Sequence, residues 1–203
     1  MALKLSATQM AKLRGAIDRG LARASGGLSE MVQRTVGIES PLVDLLRIEE
    51  VPTRVGGEGE AVAAIYLAVE GDVRGHIIIF FSIPSAKRLA GLLLETESEP
   101  EAELGEMELS ALSEVGNLTG SFVLNSLADD SGLRILPSSP SLVCDMAGAV
   151  LNTVLAELSL AGEQALVVET TFRGADDEIQ GLFFLLPELH SLQVLVEALG
   201  RRL

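Results

Sequence analysis

Four residues near the middle of the chain join side chains suited to chemistry with the spacing of one helical face. Ser110, Glu114, Asn117 and Ser121 follow one another at intervals of four, three and four. On a helix turning roughly 100° per residue, such intervals keep all four within about 60° of one another. A carboxylate and a carboxamide are then presented together. The first pairs with cations, and the second donates and accepts hydrogen bonds at once.

The opposite side of the same stretch is apolar: Leu109, Leu112, Val115, Gly116, Thr119, Phe122, Val123 and Leu127 share an arc of about 140°. Every amphipathic helix has a polar side, and most such sides only meet water. Two details set this one apart. Asn competes for backbone groups inside a helix, and Gly116 and Gly120 each cost about 1 kcal/mol relative to Ala. A helix built for stability alone would carry Lys, Gln or Ala instead.

With 203 residues, 48% of them hydrophobic and 22% charged, the chain has enough apolar material for one sizeable core or for two fused repeats. Its net charge of −14 argues against nucleic acid, which is bound by clustered Lys and Arg. The only cysteine, Cys144, stands in the apolar context Leu142-Val-Cys-Asp145 and reads as a buried, inert thiol of a reducing compartment. Neither His76 nor His190 carries a cue of partnership with it. The N-terminus lacks the sustained apolar core of a signal peptide, and the run around Ile77–Phe81 is far shorter than the roughly 20 residues of a membrane helix. A soluble cytoplasmic protein without membrane insertion is expected.

Helical periodicity runs from Thr8 to about Thr35, interrupted by Gly26-Gly27, and Ser40-Pro41 ends it. Leu42–Val51 reads as a strand, Gly56–Gly59 as a turn, and Ala61–Val69 and Gly75–Ile83 as a hairpin turning at Glu70-Gly-Asp72. Pro84 then opens a helix to Leu94. After the central helix, strands are expected near Leu133–Leu136 and Leu142–Cys144. Asp145 is expected to cap a helix to about Leu160, followed by strands at Ala165–Thr171 and Ile179–Leu186 and a last helix through Leu199. Phe80-Phe81, Pro84 and Leu89 match Phe183-Phe184, Pro187 and Leu192 at one constant offset. The chain is therefore a helix, strand, hairpin, helix unit used twice. Repeat one spans about 8–94, an acidic linker 95–106, and repeat two about 107–203. The fold class is α+β: two repeats related by a pseudo-two-fold axis form one antiparallel or mixed sheet flanked by helices.

Ser110, Glu114, Asn117 and Pro140, with Glu114-Val-Gly-Asn117, Thr119-Gly-Ser121 and Asp145-Met-Ala-Gly148, closely resemble the pattern of the CheC family of chemotaxis phosphatases, relatives of CheX and FliY. The resemblance covers both repeats. It implies hydrolysis of the aspartyl phosphate on a CheY-type response regulator. An acyl phosphate is already activated, so the reaction needs mainly a water held in line and compensation of charge on the transferred group. By this analogy Asn117 enters the partner's site and aligns the water. Glu114, which would repel phosphoryl oxygens, pairs with the lysine beside the phosphate. Ser110, Pro140 and Ser121 support them. The chain needs no cofactor of its own, and the Mg²⁺ of the reaction belongs to the regulator.

Family members often hold a second Glu-x-x-Asn in the first helix. Aligning Ser25-Gly26 with Thr119-Gly120 places Gly20 where Glu114 sits and Arg23 where Asn117 sits, a copy that has lost both functional types. One active site is therefore expected. The alternative is a non-catalytic adaptor of the same fold that binds a response regulator or the receptor deamidase CheD.

Overall fold

The structure, a computed structural model, describes residues 5–47, 50–96, 103–157, 164–174, 178–188 and 190–201. The middle of the acidic linker and the expected helix end near Leu160 lie outside them. Helix α1 (Ala7–Val32) is followed by β1 (Gly37–Arg47), the short α2 (Val51–Arg54), β2 (Ala61–Gly71), β3 (Gly75–Ser82) and α3 (Ile83–Leu94). The second half runs α4 (Glu106–Ser131), β4 (Ile135–Pro137), β5 (Ser141–Met146), α5 (Ala147–Glu157), β6 (Gln164–Arg173), β7 (Glu178–Pro187) and α6 (Ser191–Arg201).

All the strands join one sheet in the order β1-β6-β7-β3-β2, with β4 and β5 both beside β2, and every pairing is antiparallel. The two hairpins meet at the centre, where Ile78 faces Phe184 and Phe80 faces Leu182. Each half lends its remaining strands to the other: β1 pairs with β6 of the second half, while β4 and β5 pair with β2 of the first. This exchange is what an approximate two-fold axis between β3 and β7 requires.

Both faces of the central strands are apolar, so each must be covered. One face, with Ile65, Leu67, Ile77, Ile79, Phe81, Val168 and Phe183, buries the long helices α1 and α4 along with α3 and α6. The other, with Val62, Ala64, Ile78, Phe80, Val167 and Phe184, is closed by α2 and α5. Helix α3 starts where expected: the Ser82 side chain accepts from the Ser85 N–H at 3.3 Å and Pro84 sits in the first turn, where its missing N–H costs nothing.

Several local expectations are corrected. Helix α1 runs unbroken through Gly26-Gly27, because Gly27 lies against the Phe122 ring, 3.2 Å from where a Cβ would stand. The gap serves packing against α4. Strand β1 begins at Gly37, earlier than Leu42, and absorbs Ser40-Pro41 at a register shift between Glu39 and Leu42, a position that tolerates a residue without an N–H. The residues Val51–Arg54 then form α2, with a proline in its first turn. Asp145 does not cap α5. It is a residue of β5, and its carboxylate accepts from the Met146 N–H at 2.7 Å. Cys144 is exposed, contrary to the apolar look of its neighbours. The reason is that β5 is an edge strand, whose residues from Val143 to Met146 all reach solvent.

Candidate functional site

Helix α4 is a single 26-residue rod. At its start Gly105 serves as N-cap and the Glu108 carboxylate reaches back to the Gly105 N–H at 2.7 Å. Glu106 and Glu108 complement the helix dipole in the first turn. At its end Gly132 takes the left-handed conformation, φ 73°, which glycine adopts without a Cβ penalty. Leu112, Val115, Gly116, Thr119, Gly120, Val123 and Leu127 are buried. The two interior glycines have a packing reason. A Cβ on Gly116 would stand 2.3 Å from Ile65 Cγ2, and one on Gly120 3.2 Å from Leu67 Cδ2. Their bare backbone lets α4 lie close on β2, which fixes the height of everything on its outer side.

On that outer side Ser110 and Glu114 are exposed, and Asn117 and Ser121 are half-buried. The stripe inferred from spacing is present. Ser121 Oγ donates to Asn117 Oδ1 at 3.5 Å, and among the described residues the Asn117 NH₂ group meets no acceptor. Glu114 is likewise without an ion pair among the described residues, although most arginines of this acidic chain have found a carboxylate. Pro140 is half-buried in the loop between β4 and β5, the strands beside α4. The loop is anchored on β2 by Ser138, whose N–H donates to the Ala68 carbonyl at 2.8 Å and whose Oγ accepts from the Ala68 N–H at 2.9 Å. Among the described residues, no group of three or more His, Cys, Asp and Glu could hold a metal ion.

The copy of the stripe in α1 is placed differently from the sequence reading. Gly20 is buried against α4, and a Cβ there would stand 2.5 Å from Val123 Cα. Arg23 pairs with Asp129 at 3.0 Å. Neither belongs to an outward stripe equivalent to that of α4. The burial pattern gives the true register: Leu13, Ala16, Ile17, Gly20, Leu21, Ala24 and Leu28 of α1 correspond one for one to buried residues of α4 ninety-nine positions later, from Leu112 to Leu127. Glu114 therefore corresponds to Gly15, Asn117 to Asp18, Ser110 to Ala11, and Pro140 to Pro41. Asp18 accepts from Ser40 Oγ at 2.6 Å and lies 3.8 Å from Arg14. Ser25-Gly26 misled the alignment because small residues recur along α1 for packing reasons.

The sequence reading also missed an open groove of about 470 Å³ beside Glu114, formed by the start of α4 and the ends of α1 and α3. Met107 was the available signal, since it lies one turn before Ser110 on the polar side of α4.

A sheet of two interlocked repeats, with a Glu-x-x-Asn stripe on the outer side of its second long helix, defines a class. The CheC-like family's profile matches residues 107–144, the segment that contains the stripe and Pro140. The CheY-P phosphatase CheC of Bacillus subtilis (strain 168) is 33% identical over 199 residues, covering 96% of this chain and 95% of its own. The chain belongs to the CheC-like family. Among solved structures, Thermotoga maritima FliY superposes with a TM-score of 0.79 at 18% identity, covering 99% of this chain and all of that one. CheX of Borrelia burgdorferi, solved as a CheX-CheY-BeF₃-Mg²⁺ complex, is similar with a TM-score of 0.52 at 22% identity, over 84% of this chain and 97% of that one.

Proposed function

We propose that this protein hydrolyses the aspartyl phosphate of a CheY-type response regulator, with Asn117 and Glu114 as the working pair. The observation that carries the reading is the pair itself. Two side chains one turn apart project from a helix pinned to the sheet, one a carboxylate without an ion pair and the other a carboxamide whose donors meet no acceptor among the described residues. The activity named for the Bacillus relative supports it. Glu114 pairs with the lysine beside the regulator's phosphate and sets how deep α4 enters. Asn117 aligns the attacking water; no step asks it to ionise. Ser121 limits rotation of the amide. Mg²⁺ belongs to the regulator, whose acidic pocket holds the phosphoryl group.

A second reading, an adaptor that binds a regulator or the deamidase CheD without turnover, is favoured by the loss of the pair in α1, where Gly15 and Asp18 stand. Regulator dephosphorylation under multiple-turnover conditions separates the two. With wild-type protein, phosphate should be released from many regulator molecules per chain; with Asn117→Ala it should fall to the regulator's own rate. Equal release by both proteins rejects the assignment, and tight binding without acceleration establishes the adaptor.

A further inference from the structure

Helices α1 and α4 lie antiparallel, with Arg19 near Asp130 and Gly27 near Phe122. The pseudo-two-fold axis therefore makes two equivalent grooves, one at each end of the helix pair. In the first, Met31, Val32, Leu93, Leu94, Met107 and Ala111 form an apolar trough, with Glu114 as part of its wall. Met107 is 72% exposed and Met31 44%, high values for large apolar side chains, which no described residue covers.

The second groove is the internal control. It encloses about 420 Å³ between the start of α1, the end of α4 and α6. Lys12 stands where the first has Ala111, Gly15 where it has Glu114, and Asp130 where it has Met31. Arg19 pairs with Asp130 there, and Lys12 Nζ donates to the Leu199 carbonyl at 2.9 Å. The fold thus accepts either an apolar or an ionic lining at this place. The apolar lining occurs at the end that carries Glu114 and Asn117, and the ionic one at the end that has lost both.

We infer that the apolar groove beside Glu114 is a docking pocket for an apolar side chain that the phosphorylated regulator presents next to the lysine engaged by Glu114. This deepens the proposed function and rests on it. Continuity and charge both select this occupant. Glu114 forms part of the groove wall, so a partner whose cation meets that carboxylate from this side overlies the trough. Glu106 adds a second acidic residue to the rim. The matching surface is a hydrophobic side chain flanked by positive charge, and burial of flexible methionines supplies affinity without fixing one partner shape. A second copy of this chain, at −14 net charge, would bring repulsion to the same rim.

The test is the double variant Met31→Ser/Met107→Ser, whose exposed positions leave the core untouched. Its KM for phosphorylated CheY-type regulator should rise roughly tenfold while kcat stays within about twofold. In the Asn117→Ala background, the same pair of changes should weaken binding of regulator loaded with beryllofluoride and Mg²⁺ by a similar factor. Unchanged KM and unchanged binding, at an unchanged melting temperature, overturn the inference. So does sedimentation showing a wild-type dimer that the double variant dissociates, which would make a second copy the occupant. If Asn117→Ala keeps full activity, the functional assignment itself fails; loss of activity there with an unmoved KM in the double variant rejects the groove alone.

Discussion

Ser121 Oγ points at Asn117 Oδ1 from one turn further along α4, 3.5 Å away. The bond is long and so weak in itself, but it engages the acceptor end of the amide and leaves its donors without an acceptor among the described residues. Ser121→Ala should preserve the fold and reduce kcat by roughly two- to fivefold with little change in KM, since orientation rather than binding is lost. Steady-state kinetics checks this, and an unchanged kcat would show that the hydroxyl has no orienting role.

Glu114 acts in the proposal through charge, so its removal should be read mainly in binding. Glu114→Gln should raise KM on the order of tenfold, and Glu114→Lys more, because one like charge then faces another. The wild-type KM should also climb with ionic strength, and the Gln variant should lose most of that dependence. A salt profile measured on both proteins decides the matter.

The glycines of the helix layer make a stability prediction. Gly116→Ala places a methyl 2.3 Å from Ile65 Cγ2, in a fully buried β-branched side chain. Gly20→Ala places one 2.5 Å from Val123 Cα, which is backbone. Overpacking of this kind costs about 1–3 kcal/mol, against which the gain in helix propensity from Ala is about 1 kcal/mol. Both variants should melt lower than wild type, and Gly20→Ala lowest, by differential scanning calorimetry.

Cys144 provides a chemical check on the edge of the sheet. Because it is exposed on β5, a maleimide should label it in the native protein without denaturant. Partial desolvation nonetheless raises its thiol above the ordinary value, so less thiolate is present at a given pH and labelling should be slower than for a free cysteine. The rate should grow as pH rises through the usual thiol range and keep growing above it. Complete protection at neutral pH would contradict the placement of β5.

What the sequence made legible follows from periodicity. The hairpins, the two long helices and the stripe Ser110–Glu114–Asn117–Ser121 were all readable, since each repeats with the period of one element over many residues. Errors gathered where tertiary contact overrides local pattern. Gly26-Gly27 looked like a weak point in the long helix α1 because the sequence does not show Phe122 lying over it. Cys144 looked buried because apolar neighbours mark a strand without saying that the strand is an edge. The register of the first repeat slipped by five residues because Ser25-Gly26 and Thr119-Gly120 are locally alike, and only the two burial patterns compared along whole helices identify Gly15 and Asp18.

The exchange of strands across the sheet makes each half depend on the other. Cut between the repeats, each fragment would keep a hairpin with both flanks bare, and its surrendered strand would have nothing to lie beside. Helix α1 packs along α4, and the sheet borrows the strand that follows α1 to cover β6. Truncation to one repeat would not leave a smaller version of this sheet, because topology ties the two halves together.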